Sequence, residues 1–144
     1  MRKLFISLCM AGMLAGLTSC GTSRVAVTSI DALNGEWKIT EVDGQGVKPL
    51  PGEKEAFIGL NAKEMRLYGN ASCNNLIGGF EADVKNGTIS FGNTGTTQMM
   101  CPAMETEGKV LQALGKTKSF ELQKGGKLVF KADDGKTLMK MEKK

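Results

Sequence analysis

The chain has 144 residues, with 19 Lys and Arg against 15 Asp and Glu, a formal charge of +4, four Cys, nine Met and no His. That length suits one domain, because two would each be left with too little core. The absence of His excludes His-based triads, the usual zinc sites and the commonest general base, and a charge of +4 without a dense basic run argues against a nucleic-acid partner.

Arg2 and Lys3 precede a nearly unbroken apolar stretch, Leu4 to Leu17. It is too short to span a bilayer comfortably and reads as an export signal. It ends in Leu17-Thr18-Ser19-Cys20, which resembles a bacterial lipobox. The resemblance implies cleavage before Cys20, a diacylglyceryl thioether on that residue and an acylated amino terminus. Two or more chains, at about 0.8 kcal/mol per buried methylene, make a durable anchor in membrane lipid. A plain secretory signal with an incidental Cys is the other reading. Gly21, where inner-membrane retention would put Asp, favours the outer membrane by resemblance to Gram-negative sorting signals. With the 19 signal residues removed, 125 remain, carrying 17 basic and 15 acidic side chains. Residues 20–29 then form a short polar tether and 30–144 the folded domain.

From Leu33 onward the pattern is one of short strands and tight turns. Trp37 and Ile39 alternate with Lys38 and Thr40, as a half-buried strand requires. Residues 44–55 read as a polar loop inside the domain. Ala56–Leu60 and Met65–Gly69 are strands around an Asn61-Ala62-Lys63 turn. Phe80–Val84 and Thr88–Phe91 flank Asn86-Gly87, which suits a type I′ turn with positive φ at both positions. Gly69, Gly78 and Gly79 around Cys73-Asn74 mark a bulged or tight backbone, with Asn74 and Asn75 bonding to it. One helix follows: Pro102 suits its first position, Glu105 and Glu107 its positive end, and Lys116 its negative end. Met104, Val110, Leu111 and Leu114 share a face, and Gly115 suits the C-cap. Ser119–Leu122, Leu128–Phe130 and Thr137–Met141 are strands joined by Gly125-Gly126 and Asp134-Gly135. Such turns require a mainly antiparallel sheet. The expected class is α+β: a strongly curved sheet, as a partial barrel, with one amphipathic helix.

Leu33-Asn34-Gly35-Glu36-Trp37, Gly69-Asn70-Ala71-Ser72-Cys73-Asn74 with Gly79-Phe80, and Thr97-Gln98-Met99-Met100-Cys101-Pro102 with Glu107 stand in an informative order. Together with the closing Leu128–Phe130 and Asp134–Leu138, they resemble the META domain, also called HslJ-like, over about residues 30–142. Gly35, Trp37, Gly69, Asn74, Gly79, Thr97, Met99 and Glu107 are the matching motif positions. Ser72, Gln98 and Phe80 depart from the residues frequent there, which are Gly, Arg and Tyr. The resemblance implies a secreted or envelope protein loosely linked to stress response, without an assigned reaction.

Cys9 leaves with the signal and Cys20 is lipidated, so the domain keeps Cys73 and Cys101. An oxidising compartment favours a bridge, worth about 3–4 kcal/mol in the chain-entropy model; two buried free thiols are the alternative. Redox catalysis is the weaker reading, because there is no Cys-x-x-Cys pair and no His to lower a thiol pKa, and structural pairing explains the same placement. Met99, Met100, Cys101 and Met104 offer soft donors suited to Cu(I), but Met is a flexible core filler and this run enters a helix whose apolar face must be buried, so core filling is the expectation; no metal or cofactor is assigned. Asp133 and Asp134 suit a turn. Lys124, Lys127, Lys131 and Lys136 suit a solvated face, or one lying near anionic envelope polymer or lipid headgroups. The expectation is a non-enzymatic envelope lipoprotein that binds or protects. The alternative is an inhibitor or chaperone-like binder of a secreted or envelope protein.

Overall fold

Strands with one apolar face and tight turns between them roll up until their outer edges meet. The computed structural model describes residues 23–144, so the export signal and Cys20 lie outside the described residues. The strands are β1 (Gly35–Val42), β2 (Gln45–Gly46), β3 (Phe57–Asn61), β4 (Arg66–Asn70), β5 (Asn75–Asp83), β6 (Thr88–Phe91), β7 (Gly95–Thr96), β8 (Ser119–Gln123), β9 (Lys127–Lys131) and β10 (Thr137–Lys143). Helix α1 (Met104–Lys116) lies between β7 and β8.

Every pairing is antiparallel. Around the sheet the order is β1, β3, β4, β5, β6, β8, β9, β10, and β10 pairs back onto β1 with Trp37 opposite Lys143. The strong curvature expected from the turns thus goes to completion as an eight-stranded closed barrel, while β2 and β7 pair with β1 and β5 outside that circuit.

Alternating side chains fill the barrel: Trp37 and Ile39 from β1, Ile58 and Leu60 from β3, Leu76 and Phe80 from β5, Leu128 and Phe130 from β9. Helix α1 touches β1 and β10 on one side and β6 on the other, so it lies across one mouth. Its buried positions are Glu107, Val110, Ala113 and Leu114. At the opposite mouth a short 3₁₀ turn, Ile30–Leu33, buries Leu33 completely, and the Trp37 indole N–H donates to the Leu33 carbonyl at 2.8 Å.

Local details depart from expectation in three places. The helix starts at Met104, two residues after Pro102, and runs past Gly115 to a C-cap at Thr117, whose hydroxyl donates to Ala113 O at 2.7 Å. In the 84–87 turn only Gly87 has positive φ, because the Asp83 carboxylate accepts from the backbone of Lys85 and Asn86 and folds that turn itself. The β5 strand begins five residues before Phe80, where the glycines concealed it.

The seam between β6 and β8 is thin, with Thr88 opposite Ser119. Beyond it β8 has backbone groups to spare, and the chain before the 3₁₀ turn supplies them with partners. Val25 N–H donates to Leu122 O at 2.8 Å, Lys124 N–H donates to Ser23 O at 3.1 Å, and Arg24 bridges to Gln123. Residues 23–25, read from sequence as part of a tether, therefore lie along the barrel as a strap.

Candidate functional site

The motif residues between β4 and α1 converge on one buried polar knot. Gly69 is required there by geometry. Its φ is +150°, and a Cβ at that position would lie 2.3 Å from the Phe57 carbonyl oxygen. The chain then turns tightly through Ser72 at φ +86°, whose N–H donates to Asn70 Oδ1 at 2.9 Å. Asn70 Nδ2 also donates to Asn75 Oδ1 at 3.2 Å, and Ala71 N–H donates to Asn74 O at 2.9 Å. This self-bonded turn projects Asn74 inward.

Asn74 is saturated in both directions. Its Nδ2 donates to Glu107 Oε2 at 2.9 Å and to Met99 O at 3.0 Å, and its Oδ1 accepts from Met99 N–H and from the Thr97 hydroxyl, each at 2.8 Å. Its backbone N–H donates to Glu107 Oε2 at 2.9 Å, and Thr97 Oγ1 in turn accepts from Asn75 N–H at 3.1 Å. Two donors and two acceptor lone pairs are the whole capacity of an amide side chain.

The sequence places Glu107 at the positive end of the helix dipole and among the motif positions. The residue is 4% exposed, and among the described residues its carboxylate makes no ion pair. The N–H groups of Asn74 and the nearby helix N-terminus stabilise its charge instead. Glu105, the other acidic residue of the first helical turn, is exposed and pairs with Lys109 at 2.7 Å.

A second tie runs beside the first. Cys73 and Cys101 form a disulfide, with Cα atoms 6.1 Å apart across 28 residues, within the usual span. Ala103, the N-cap of α1, has no capping side chain of its own. Its N–H donates to Glu53 Oε1 at 3.0 Å, so a carboxylate from the 47–56 loop caps the helix from outside. The sequence reading passes over Glu53 and Asn70. Asn70 has a local signal, an Asn two residues before Ser in a turn, whereas a contact between Glu53 and Ala103 has none.

These ties clamp the 97–101 segment on both sides and leave its methionine side chains outside, with Met104 beyond it. Met99 is 54% exposed, Met100 90% and Met104 38%. The expectation that these methionines fill the core is thus overturned, because the buried face of the helix is made by Val110, Ala113 and Leu114. Cys101 is in the disulfide and offers no thiolate.

The remaining motif positions serve elsewhere. Gly35, at φ +110°, starts β1 beside the Lys143 side chain, and Trp37 seals the far mouth under the Lys143 ammonium, 4.4 Å from its ring. Gly79 lies on the β5 wall opposite Arg66. A cleft of about 210 Å³ lies between α1 and the β9–β10 turn, where Asp43, Lys109, Lys116 and Lys136 approach one another. A hydrogen bond from Lys136, and then its charge, hold the Asp43 carboxyl below the ordinary carboxylate range.

The closed barrel with a helix across one mouth recurs in solved structures. A protein from Burkholderia xenovorans aligns at 21% identity and TM-score 0.63, covering 98% of this chain and 97% of its own. A DUF4847-family protein from Bacteroides vulgatus aligns at 14% identity and TM-score 0.59, covering 81% of this chain and 98% of its own. At such identities the likeness is one of fold. A search of curated proteins finds no match. The META domain model matches residues 29–144, a span that includes the strands of the barrel, the Asn74 turn, the disulfide and the helix bearing Glu107. Matched over that whole span, with Gly69, Asn74, Thr97, Met99 and Glu107 meeting at the buried knot, the chain belongs to the META domain family.

Proposed function

We propose that the protein is a non-enzymatic lipoprotein of the cell envelope, anchored through Cys20, whose META domain is a binding module with a protective, stress-related role. The observation that carries this reading is the rigid display of Met99 and Met100. Asn74 holds the backbone of their segment, Cys101 is bridged to Cys73, and the two thioether side chains face solvent. The absence of His from the sequence and the closure of the Asn74–Glu107 knot upon itself speak for binding over catalysis.

Methionine side chains adapt to partners of varied shape. That property favours, as a second reading, a chaperone-like or inhibitory binder of secreted or envelope proteins. A photo-crosslinker in place of Met100, in the membrane-bound protein, tests both. One recurrent adduct supports a dedicated envelope partner, and a spread of protein adducts supports the chaperone-like reading. No adduct at position 100 overturns the binding surface. Palmitate labelling tests the anchor: the label should be present in the natural chain and lost in Cys20→Ala.

A further inference from the structure

We propose that the β8–β9 end of the barrel rests on the membrane, with Lys85, Lys124 and Lys127 against anionic phospholipid headgroups. The inference rests on the lipid anchor at Cys20 and adds an orientation and a lipid preference to it.

The strap fixes where the anchor can be. Ser23 is held at the turn between β8 and β9 through Lys124, and Gly21 and Thr22 alone separate it from Cys20. Three residue steps of fully extended chain reach at most about 11 Å. A lipid on Cys20 therefore keeps this turn close to the headgroups, whereas α1 and the exposed methionines lie across the opposite mouth.

The charge at this end suits that surface. Lys124 and Lys127 flank the Gly125-Gly126 turn, and the 84–87 turn brings Lys85 to a groove it shares with Arg24 and Glu121. All three lysines are exposed, and among the described residues none of them makes an ion pair. The nearby carboxylates are engaged or outnumbered. Glu121 binds Arg24 and Lys131, Asp83 accepts from Asn86 at 2.6 Å, and Glu142 stands opposite Lys127. Of the four lysines noted in the last hairpins, Lys131 and Lys136 are neutralised by Glu121 and Asp43. The free pair is thus the pair nearest the chain entry. Free cations held within about a Debye length of a lipid surface respond to its anionic lipids and to salt.

The test uses the full-length, membrane-purified protein in vesicles of phosphatidylcholine alone or mixed with phosphatidylglycerol. Flotation reports the anchor, and lysine acylation read by mass spectrometry reports the contact. Labelling of Lys124 and Lys127 should fall about fivefold on the mixed vesicles and recover in high salt, while Lys54 and Lys116 stay unchanged. The exposed double variant Lys124→Gln, Lys127→Gln should float equally well but leave Lys85 equally labelled on both vesicles. Flotation with no difference at Lys124 and Lys127 overturns this inference and leaves the anchor standing. Failure to float on phosphatidylcholine overturns the anchor, and this inference with it.

Discussion

At the scale of single residues, the Glu107 carboxylate takes its side-chain hydrogen bonds from Asn74, which also holds Met99 and Thr97. Truncating Asn74 to Ala would leave a buried carboxylate, the Met99 N–H and carbonyl, and the Thr97 hydroxyl short of partners. The expected loss is about 3–4 kcal/mol in urea unfolding. Glu107→Gln would set an amide N–H₂ against the donors of Asn74, costing about 2–3 kcal/mol, with coupling above about 1 kcal/mol in the double-mutant cycle. Two glycines make a sharper comparison. Gly69→Ala forces a Cβ against the Phe57 backbone at positive φ, whereas Gly59→Ala meets the Tyr68 ring, a side chain able to rotate away. Gly69→Ala should therefore cost about 3 kcal/mol or more, and Gly59→Ala clearly less, by thermal unfolding. The sequence announces Asn74 as a polar residue in a glycine-marked turn, but the burial of its partner is not legible there. An acidic residue in a first helical turn looks the same whether water or Asn74 receives it.

At the scale of elements, the 97–101 segment and the strap are held by different chemistry and should fail under different conditions. Reducing the Cys73–Cys101 bond should lower stability by about 3–4 kcal/mol, seen as a lower urea midpoint with reductant. Identical midpoints would mean that the bond contributes nothing to stability. The strap responds to acid through Glu121. Burial pushes the Glu121 carboxyl up, but hydrogen bonds from Lys131 and Gln123, with the charges of Lys131 and Arg24, outweigh it and leave it below its ordinary range. A depressed carboxylate stabilises the folded state fully above its unfolded value, about 4.3, and progressively less as pH falls through the folded value. Glu121→Gln should therefore cost about 1–2 kcal/mol near neutrality, and its urea midpoint should converge with the natural protein's in acid. Most strands are legible to within two residues from alternation and turn chemistry. The early part of β5 is not, because Gly78 and Gly79 are poor strand formers whose neighbours in the sheet decide for them.

At the scale of the molecule, closure depends on β1 and β10, which lie at opposite ends of the folded chain yet pair from Trp37 to Lys143 and onward to Val42 and Met139. Pairing at such separation requires a large loop-closure entropy before any contact is gained, so folding should take milliseconds to seconds. Trp37 is the chain's one tryptophan and is buried at the closing seam, so its fluorescence should report closure in stopped-flow refolding. Fluorescence faster than the far-ultraviolet circular dichroism signal would show that the seam forms before the sheet.

The sequence by itself determined most of the strands and the helix, the mainly antiparallel pairing, the family motif and the two cysteines left to the domain. These follow from local periodicity, turn residues and composition. Only the tertiary structure decided that the sheet closes, that residues 23–25 lie along β8 beyond its thin seam with β6, and that Glu107 lies buried against Asn74 while Met100 stands in water. Each of those outcomes depends on residues far apart in the chain meeting in space, so local pattern does not encode them. A side chain's burial belongs to its neighbours as much as to itself.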